Sequence, residues 1–258
     1  AAARPRTRLV LVGGGDRPVD AMRWFVAEAG GPDARILYVT WATEYPHESF
    51  DNFVADAVPF RPAEIVASPP APLAPGERER FVAQLSAATG VFFSGGDQAV
   101  VMDVLRDTEL LAMLRQKYAA GTVFGGTSAG TAIMSRIMIT GNGNFEVLDG
   151  TQVETREGLG LLPDDVIVDQ HFIARQRQNR LIGLLIQHAG TTGMGIDENT
   201  AVLVTDGQAA EVVGSSKVML FRPMPGSATF AMRVLRPGEH FDIRSGATAR
   251  RPVRPSRT

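Results

Sequence analysis

The chain has 258 residues, of which 44% are hydrophobic and 21% charged, and its formal net charge is −2. This composition is ordinary for a globular protein and argues against intrinsic disorder, and the small net charge gives no reason to expect a nucleic acid or an anionic membrane as a partner. Cysteine is absent, which excludes disulfides, thiolate metal sites and a cysteine nucleophile, and the four scattered histidines show no metal-ligand spacing.

The length fits a single α/β domain over residues 1–258, with residues 1–7 and 247–258 expected to be loose tails. No apolar run approaches the roughly 20 residues that span a bilayer. The chain begins with AAARPR rather than with Met, so the sequence leaves open whether the protein is secreted, with a processed N-terminus, or cytoplasmic.

Apolar strand-like runs alternate with amphipathic helix-like segments along most of the chain. Strands are predicted at 8–12, 35–40, 63–67, 90–94, 122–126, 165–169, 194–197 and 201–205, and helices at 20–30, 49–58, 77–88 and around 99–121. This order predicts an α/β fold with a doubly wound, mainly parallel sheet and helices on both faces. The segments 211–223 and 228–243 lack a helical pattern and are predicted to be antiparallel strands that close one edge.

Ligands of open α/β sheets gather at the carboxyl ends of the strands, where loops lead into helices. Four loops of this kind are predicted here, at 13–16, 94–98, 125–130 and 169–172. We therefore expect the chemistry where these four loops converge.

The third loop contains Gly126-Thr127-Ser128-Ala129-Gly130, which matches the pattern G-x-S-x-G. In that pattern the serine occupies a strained turn between a strand and a helix, and its hydroxyl projects above the sheet as a nucleophile. The context agrees, because a strand-like run precedes the motif and the helix-like run TAIMSRIM follows it. The alternative is a glycine-rich turn in which Ser128 merely caps the next helix.

A serine nucleophile needs a base, and histidine is the usual one. His171 follows the apolar run VIVD at a predicted strand end, whereas His47 and His240 lie in loop-like context and His188 lies near a helix end. His171 is therefore the predicted base.

An acid should orient the imidazole, and four acids compete for this role from the residues alone. Asp197 and Glu198 stand together at the end of the predicted strand MGID, where alternation allows only one of them to face His171. Glu146 and Asp149 lie shortly after the serine motif. The residue pattern does not choose among these acids.

The oxyanion of a tetrahedral intermediate needs hydrogen-bond donors. The backbone N–H of Ala129 is the expected first donor, and Gly95 and Gly96 are candidates for the second because a residue without Cβ lets the backbone approach a substrate closely. The alternative for the two glycines is a plain turn after a strand.

Arg175, Arg177 and Arg180 follow His171 on a predicted helix, where Arg177 and Arg180 share a face and Arg175 points away. Such a charge run is either a solvated face or a site that recognises carboxylates, for which the planar guanidinium is well matched.

Three segments together resemble the cyanophycinase branch of the S51 serine peptidases, a group that also contains the α-aspartyl dipeptidases. These segments are GGTSAG, GLGLLPDDVIVDQHFIARQRQNRLIGLL and GMGIDENTAVLV, and the block DQHF followed by R-x-R-x-x-R is the most specific part. The segment YVTWATEYP at 38–46 departs from the small-residue stretch common in the family, which affects the rim of the cleft.

The resemblance implies a fold similar to class I glutamine amidotransferases and a triad of Ser128, His171 and Glu198. It also places six further residues around the substrate cleft: Gln98, Asp169, Gln170, Arg175, Arg177 and Arg180. The implied activity is a serine exopeptidase, without metal or cofactor, that releases β-Asp-Arg dipeptides from cyanophycin, a poly-aspartate with arginine joined to each side-chain carboxyl. A homodimer is also implied. The other hypotheses are an α-aspartyl or isoaspartyl dipeptidase and a non-catalytic binding module on the same fold.

Overall fold

A computed structural model describes residues 5–144, 146–224 and 229–248, which leaves the outer parts of both predicted tails outside the described residues. In chain order the strands and helices are β1 (Arg8–Val12), α1 (Val19–Glu28), β2 (Arg35–Val39), α2 (Pro46–Ala57), β3 (Glu64–Ala67), α3 (Pro75–Ala87), β4 (Gly90–Phe93), α4 (Gln98–Val104), α5 (Thr108–Ala119), β5 (Val123–Thr127), α6 (Ala129–Ala132), β6 (Ile137–Gly143), β7 (Val153–Glu157), β8 (Val166–Asp169), α7 (Gln178–Gln187), β9 (Thr192–Ile196), β10 (Thr200–Thr205), β11 (Ala209–Gly214), β12 (Val218–Pro223), β13 (Phe230–Leu235) and β14 (His240–Asp242).

The largest sheet of the described residues has eight strands in the order β14-β11-β10-β1-β5-β4-β2-β3. The five strands from β1 to β3 in this order are parallel, while β10, β11 and β14 are antiparallel to their neighbours. The predicted fold class, an α/β protein with a large, mainly parallel sheet, is confirmed.

Both faces of this sheet are covered, as the apolar runs predicted. Leu9 and Leu11 of β1 belong to one hydrophobic cluster, and the alternating Val10 and Val12 belong to another. Side chains of successive strand residues point to opposite faces, so a strand buried on both faces is apolar throughout.

The second half of the chain corrects part of the predicted topology. β8 and β9, which we expected to extend the parallel sheet, form a separate sheet in the order β13-β12-β9-β8. β10 returns antiparallel to β1. Only residues 197–199 link β9 to β10, so the chain passes directly from one sheet to the other at this point.

The predicted closing strands are divided between the two sheets. β11 and β14 close the edge of the eight-stranded sheet, as expected, whereas β12 and β13 pair with β9. The part of the predicted segment 228–243 that precedes Thr229 lies outside the described residues.

Two predicted helices are shorter than the sequence indicated. The segment 99–121 is divided into α4 and α5, because Asp107 accepts hydrogen bonds from the N–H groups of Glu109 and Leu110 and begins a new helix. The run TAIMSRIM is helical only to Ala132, since the carbonyls of Ile133 and Met134 accept from the loop 159–162 instead of continuing the helix.

The strand register aligns the ends from which the site is built. Val12 of β1 pairs with Thr127 of β5, and Phe93 of β4 pairs with Gly126. The loops that follow these three parallel strands therefore leave the sheet at the same edge.

Candidate active site

Ser128 occupies a strained turn between β5 and α6. Its φ of 52° and ψ of −111° are unusual for a residue with a side chain. The turn is tight, because a Cβ on Gly126 would lie 2.8 Å from the Gly130 Cα, and a Cβ on Gly130 would lie 2.8 Å from the Phe93 carbonyl carbon. Ser128 is the N-cap residue of α6, but its hydroxyl makes no capping hydrogen bond, so the alternative role as a helix cap is not what the geometry supports.

The imidazole of His171 lies against this hydroxyl, with Nε2 at 2.8 Å from Ser128 Oγ. The side chain is buried to all but 9% of its surface. The backbone of His171 has a φ of 49°, and its N–H donates to the Gly13 carbonyl at 2.6 Å. The ring packs on Gly14, where a Cβ would lie 2.6 Å from the ring Nδ1 and closer still to Cε1.

Glu198 is the acid that contacts His171, with Oε1 at 2.5 Å from Nδ1. Because a carboxylate only accepts hydrogen bonds when ionised, Nδ1 carries the proton and Nε2 is left to accept from the serine hydroxyl. Ser128, His171 and Glu198 thus form one hydrogen-bonded trio. Ser–His–acid geometry of this kind is the arrangement that activates a serine hydroxyl.

The three competing acids have other partners. Asp197 accepts from the N–H groups of Ile173 and Ala174 and from the Ser216 hydroxyl. Burial raises the pKa of Asp197, but these hydrogen bonds outweigh it and hold the pKa below its ordinary value. Asp197 therefore fixes the turn after His171.

The carboxylate of Asp149 accepts from Thr151 and Gln152 at the start of a short 3-10 turn. The backbone carbonyl of Glu146 accepts a hydrogen bond from the Asn179 side-chain amide at 2.9 Å. Among the described acids considered for the role, Glu198 alone is placed against the imidazole.

The protonation of His171 follows from its surroundings. Burial lowers the pKa of His171 below its ordinary value, and Arg175 and Arg177 act in the same direction, while the hydrogen bond to Glu198 opposes them. The ring is therefore neutral near pH 7, which is the form that accepts a proton from a hydroxyl.

The expected oxyanion donors lie beside Ser128. Ala129 is the first residue of α6, so its N–H has no partner within the helix. A Cβ on Gly95 would lie 3.4 Å from the Ser128 Cβ, which brings the backbone of Gly95 next to the hydroxyl. Gly96 has a φ of 127° and packs on the carbonyl of Ala42, so it shapes the same turn.

Two glutamines of the predicted cleft have different surroundings. The Oε1 atom of Gln170 lies 3.3 Å from Ser128 Oγ, farther than His171 Nε2 at 2.8 Å, so it is the alternative acceptor for the single hydroxyl proton. Gln170 is only 4% exposed. Gln98 is equally buried, and its amide donates to the carbonyls of Ile139 and Thr140 on β6. Gln170 thus contacts the hydroxyl, whereas Gln98 anchors a neighbouring hairpin.

The arginine block is not a single helical face, because α7 begins only at Gln178. Arg180 is 0% exposed and forms an ion pair with the equally buried Asp169, so it is neither a solvated residue nor open to a ligand. Burial excludes a solvated face for Arg180, while the place of Asp169 and Arg180 around a substrate cleft stays a prediction. The pair lies beneath the turn that carries Gln170 and His171.

Arg177 and Arg175 precede the helix. Arg177 donates to the Gln170 carbonyl at 2.9 Å, and burial, with the nearby Arg180, lowers its pKa to about 10. Arg175 is 55% exposed and its Nε lies 3.8 Å from Glu198 Oε1. Of the three arginines, Arg175 is the one open to a ligand.

The loop after β1 has a larger part than its sequence revealed. The carbonyls of Val12, Gly13 and Gly14 accept from the N–H groups of Ser128, His171 and Asn199, respectively. Only the glycine run after a buried strand signalled this role, and it carries no side-chain chemistry. Asn199, adjacent to Glu198, also accepts from the Asp16 N–H through its side chain at 2.7 Å.

A cavity of about 600 Å³ opens at the Ser128 hydroxyl. One wall of this cavity is the face of α2 that carries Glu48, Asn52 and Asp56, and Arg17 lies beside it. Sequence reasoning missed these residues, although polar residues at intervals of four on one helix are a recognisable stripe.

The described residues contain no group of three or more His, Cys, Asp or Glu placed to hold a metal ion. Within the same ranges of the chain, no helix has the length and apolar character of a membrane span.

Comparison with known proteins relates the whole arrangement to one family. The model of "Peptidase family S51" matches residues 9–212. A protein named "Cyanophycinase" from Synechococcus elongatus is 34% identical over 232 residues, covering 86% of this chain and 70% of the relative. Another of that name from a Nostoc species is 34% identical over 223 residues, covering 84% and 74%.

A solved structure supports the fold. The crystal structure of a peptidase from an acI-B1 Actinobacterium has a TM-score of 0.69 and 23% sequence identity, and the match covers 92% of this chain and 96% of that one. The family match spans most of the chain and contains the Ser128, His171 and Glu198 segments. The chain therefore belongs to peptidase family S51 and is a peptidase.

Proposed function

We propose that this peptidase is a serine exopeptidase that hydrolyses cyanophycin to β-Asp-Arg dipeptides, with Ser128 as nucleophile, His171 as base and Glu198 as orienting acid. The observation that carries the chemistry is the trio itself, with 2.8 Å between Ser128 Oγ and His171 Nε2 and 2.5 Å between His171 Nδ1 and Glu198 Oε1. The similarity of this chain to proteins named cyanophycinase supports cyanophycin as the substrate.

The first half of the reaction forms an acyl-enzyme. Ser128 Oγ attacks the carbonyl carbon of the scissile peptide bond while His171 Nε2 takes the hydroxyl proton. The carbonyl oxygen becomes an oxyanion, which the N–H of Ala129 and a backbone N–H of Gly95 or Gly96 stabilise. The C–N bond breaks as Nε2 returns its proton to the leaving amine.

The second half restores the serine. Water attacks the ester carbonyl, and Nε2 takes a proton from that water. The new tetrahedral intermediate collapses, and Nε2 donates the proton to Ser128 Oγ as the acid product leaves. Glu198 remains ionised throughout and stabilises the imidazolium that forms twice.

The remaining predicted residues divide into two roles in this proposal. Arg175 faces a free α-carboxylate of the substrate, which its exposure beside Glu198 supports, whereas Arg177 positions Gln170 through the hydrogen bond to its carbonyl. Asp169 and Arg180 hold the turn of Gln170 and His171 from beneath, because their ion pair is buried. Gln98 acts through the hairpin that it anchors.

We also propose that the chain forms one domain and that two copies pair. One hydrophobic cluster runs from Leu9 and Phe124 of the large sheet to Met194 and Leu220 of the second, which supports a single folding unit. The family resemblance is the basis for the homodimer, and light scattering of the purified protein measures it.

The test is incubation with purified cyanophycin, followed by mass analysis of the products over time. The expected products are β-Asp-Arg dipeptides, and Ser128→Ala is expected to lower their rate of formation by several orders of magnitude without lowering the thermal unfolding midpoint much. A Ser128→Ala variant with near wild-type turnover would contradict the nucleophile.

Two other results identify the alternatives. Intact cyanophycin together with cleavage of α-aspartyl or isoaspartyl dipeptides would show a different substrate range. Failure of a serine-directed organophosphonate to label Ser128, with no turnover of any of these peptides, would show a binding module, because an unactivated serine does not react.

A further inference from the structure

The cavity at Ser128 has a polar wall that the catalytic proposal does not use. The Ser128 hydroxyl and Gly95 lie on one side of the cavity, and Glu48, Asn52 and Asp56 of α2 lie on the other. Residues four apart on a helix are offset by about 40°, so these three side chains form one stripe. The stripe directs one amide and two carboxylates at the space beside the hydroxyl.

Arg17 adds a fixed positive charge to the same cavity. Its Nε donates to Asp56 Oδ2 at 2.6 Å, and its Cζ lies 5.8 Å from the centre of the Phe53 ring. The side chain is only 12% exposed. These contacts hold the guanidinium in place before any ligand binds, which lowers the entropy cost of recognition.

The carboxylate of Glu48 faces the cavity from the first turn of α2 and is exposed. A carboxylate accepts two parallel hydrogen bonds from a planar guanidinium, and a guanidinium donates two to a carboxylate. The cavity therefore offers complementary partners for both charged ends of one ligand group. A neutral apolar side chain would give the Glu48 carboxylate no charged partner and would leave Arg17 with Asp56 alone.

We propose that this cavity binds a substrate side chain that ends in both a carboxylate and a guanidinium, with Arg17 binding the carboxylate and Glu48 binding the guanidinium. An arginine joined through its α-amino group to an aspartyl side chain has this chemistry. The inference rests on the proposed function, and it assigns the specificity for the unit next to the scissile bond to Arg17 and Glu48. The volume of about 600 Å³ accommodates such a unit.

The experiment measures binding separately from turnover. Ser128→Ala is used as the background, and its dissociation constants are measured by calorimetry for three short oligomers: the β-Asp-Arg oligomer, the same oligomer with citrulline in place of arginine, and the same oligomer with the arginine carboxyls amidated. Glu48→Gln and Arg17→Gln are then added singly. Asp51→Asn, an exposed carboxylate on α2 that does not line the cavity, is the matched control.

The expected result is selective. Glu48→Gln weakens binding of the arginine oligomer by roughly 10- to 100-fold and changes binding of the citrulline oligomer less than about threefold, since a hydrogen bond between charged groups is lost only in the first case. Arg17→Gln weakens binding of the oligomer with free arginine carboxyls and changes binding of the amidated oligomer much less. Asp51→Asn binds all three oligomers as the background does.

The inference is overturned if Glu48→Gln weakens binding of the arginine and citrulline oligomers equally, or if it weakens neither. It is also overturned if the Ser128→Ala background does not bind the arginine oligomer. Arg17→Gln also breaks the ion pair with Asp56, so circular dichroism is used to check that this variant is folded. If it is not folded, the Glu48→Gln result alone decides whether the inference stands. Wild-type enzyme that leaves the arginine oligomer intact refutes the proposed function, whereas intact turnover with unselective Glu48→Gln refutes only this inference.

Discussion

Replacing Gly14 by Ala should disable the site without introducing any new chemistry. Gly14 has a φ of 117°, and a Cβ there would lie 2.6 Å from His171 Nδ1, closer than the 3.0 Å below which real Cβ contacts essentially never occur. The imidazole must therefore retreat by about 1 Å to reach ordinary contact distance. It is held at 2.5 Å by Glu198 on one side and at 2.8 Å by Ser128 on the other, so a retreat breaks at least one of these bonds.

The expected loss in kcat is about 100-fold or more, which is the cost of misplacing a reacting group by about 1 Å. Strain at the positive φ adds about 1–3 kcal/mol to the loss of folding stability. Gly190→Ala is the control for this strain, because Gly190 has a φ of 89° and a Cβ there meets no atom within 4 Å. Peptide hydrolysis, the rate of organophosphonate labelling and the urea unfolding midpoint are measured for both variants. Gly14→Ala with activity within about threefold of Gly190→Ala would refute the reasoning.

Three other perturbations test separate parts of the site. Glu198→Gln should lower kcat by about 10²- to 10⁴-fold, because the imidazolium loses its counter-charge, whereas Glu146→Gln and Asp149→Asn should keep wild-type rates; a harmless Glu198→Gln would assign the acid elsewhere. Burial holds the pKa of His171 below 6.5, so the acid limb of the pH profile of kcat/KM should have its midpoint below 6.5, and a midpoint above 6.5 would contradict this. The free energy of unfolding should also decrease as the pH falls through 6.5 toward the folded-state pKa, because the unfolded chain binds the proton more readily. Asp169→Asn should lower the free energy of unfolding by about 3–5 kcal/mol in urea titrations, because it removes one partner of a buried ion pair with Arg180. Asp164→Asn, which removes an exposed partner of Arg136, should leave the midpoint nearly unchanged.

The fold class was predictable from the sequence because strands buried on both faces must be apolar throughout. β1, β2 and β4 are short apolar runs, and each is followed by a loop at the active edge. Sheet membership was not predictable for β8, β9 and β10. Sheet membership depends on which strand each of them pairs with, and an apolar strand has the same pattern of side chains in either sheet. The link of three residues between β9 and β10 gives no signal that the chain changes sheets there.

Ser128 was predicted from the pattern G-x-S-x-G between a strand-like and a helix-like run, and His171 from its position just after the run VIVD. The structure brings these two side chains into contact. The acid was not identifiable from the residue pattern, since Asp197 and Glu198 are neighbours of the same charge type. What separates them is tertiary: the Asp197 carboxylate is occupied by the N–H groups of Ile173 and Ala174, which belong to a distant segment.

The buried ion pair of Arg180 was hidden from the sequence for a similar reason. A charge run without visible partners is typical of a solvated face, but Asp169 lies 11 residues earlier, at the end of β8, and pairs with Arg180 in the interior. The opposite wall of the cavity was missed because the polar stripe that contains Glu48 is also the ordinary pattern of a solvated helix face, and because Arg17 belongs to no local motif.

The carbonyls of three consecutive residues, at the end of β1 and in the loop after it, hold the backbones of Ser128, His171 and Asn199. The spacing of Ser128, His171 and Glu198 therefore depends on one continuous stretch of backbone. No side-chain substitution can delete those carbonyls, so this part of the site is insulated from most single mutations other than those at its glycines. β1 is also an interior strand, between β5 and β10, and interior strands open only with large parts of the molecule. The alignment of Ser128, His171 and Glu198 should therefore persist while the surrounding loops exchange conformations, so that substrate range can diverge on a constant chemical centre.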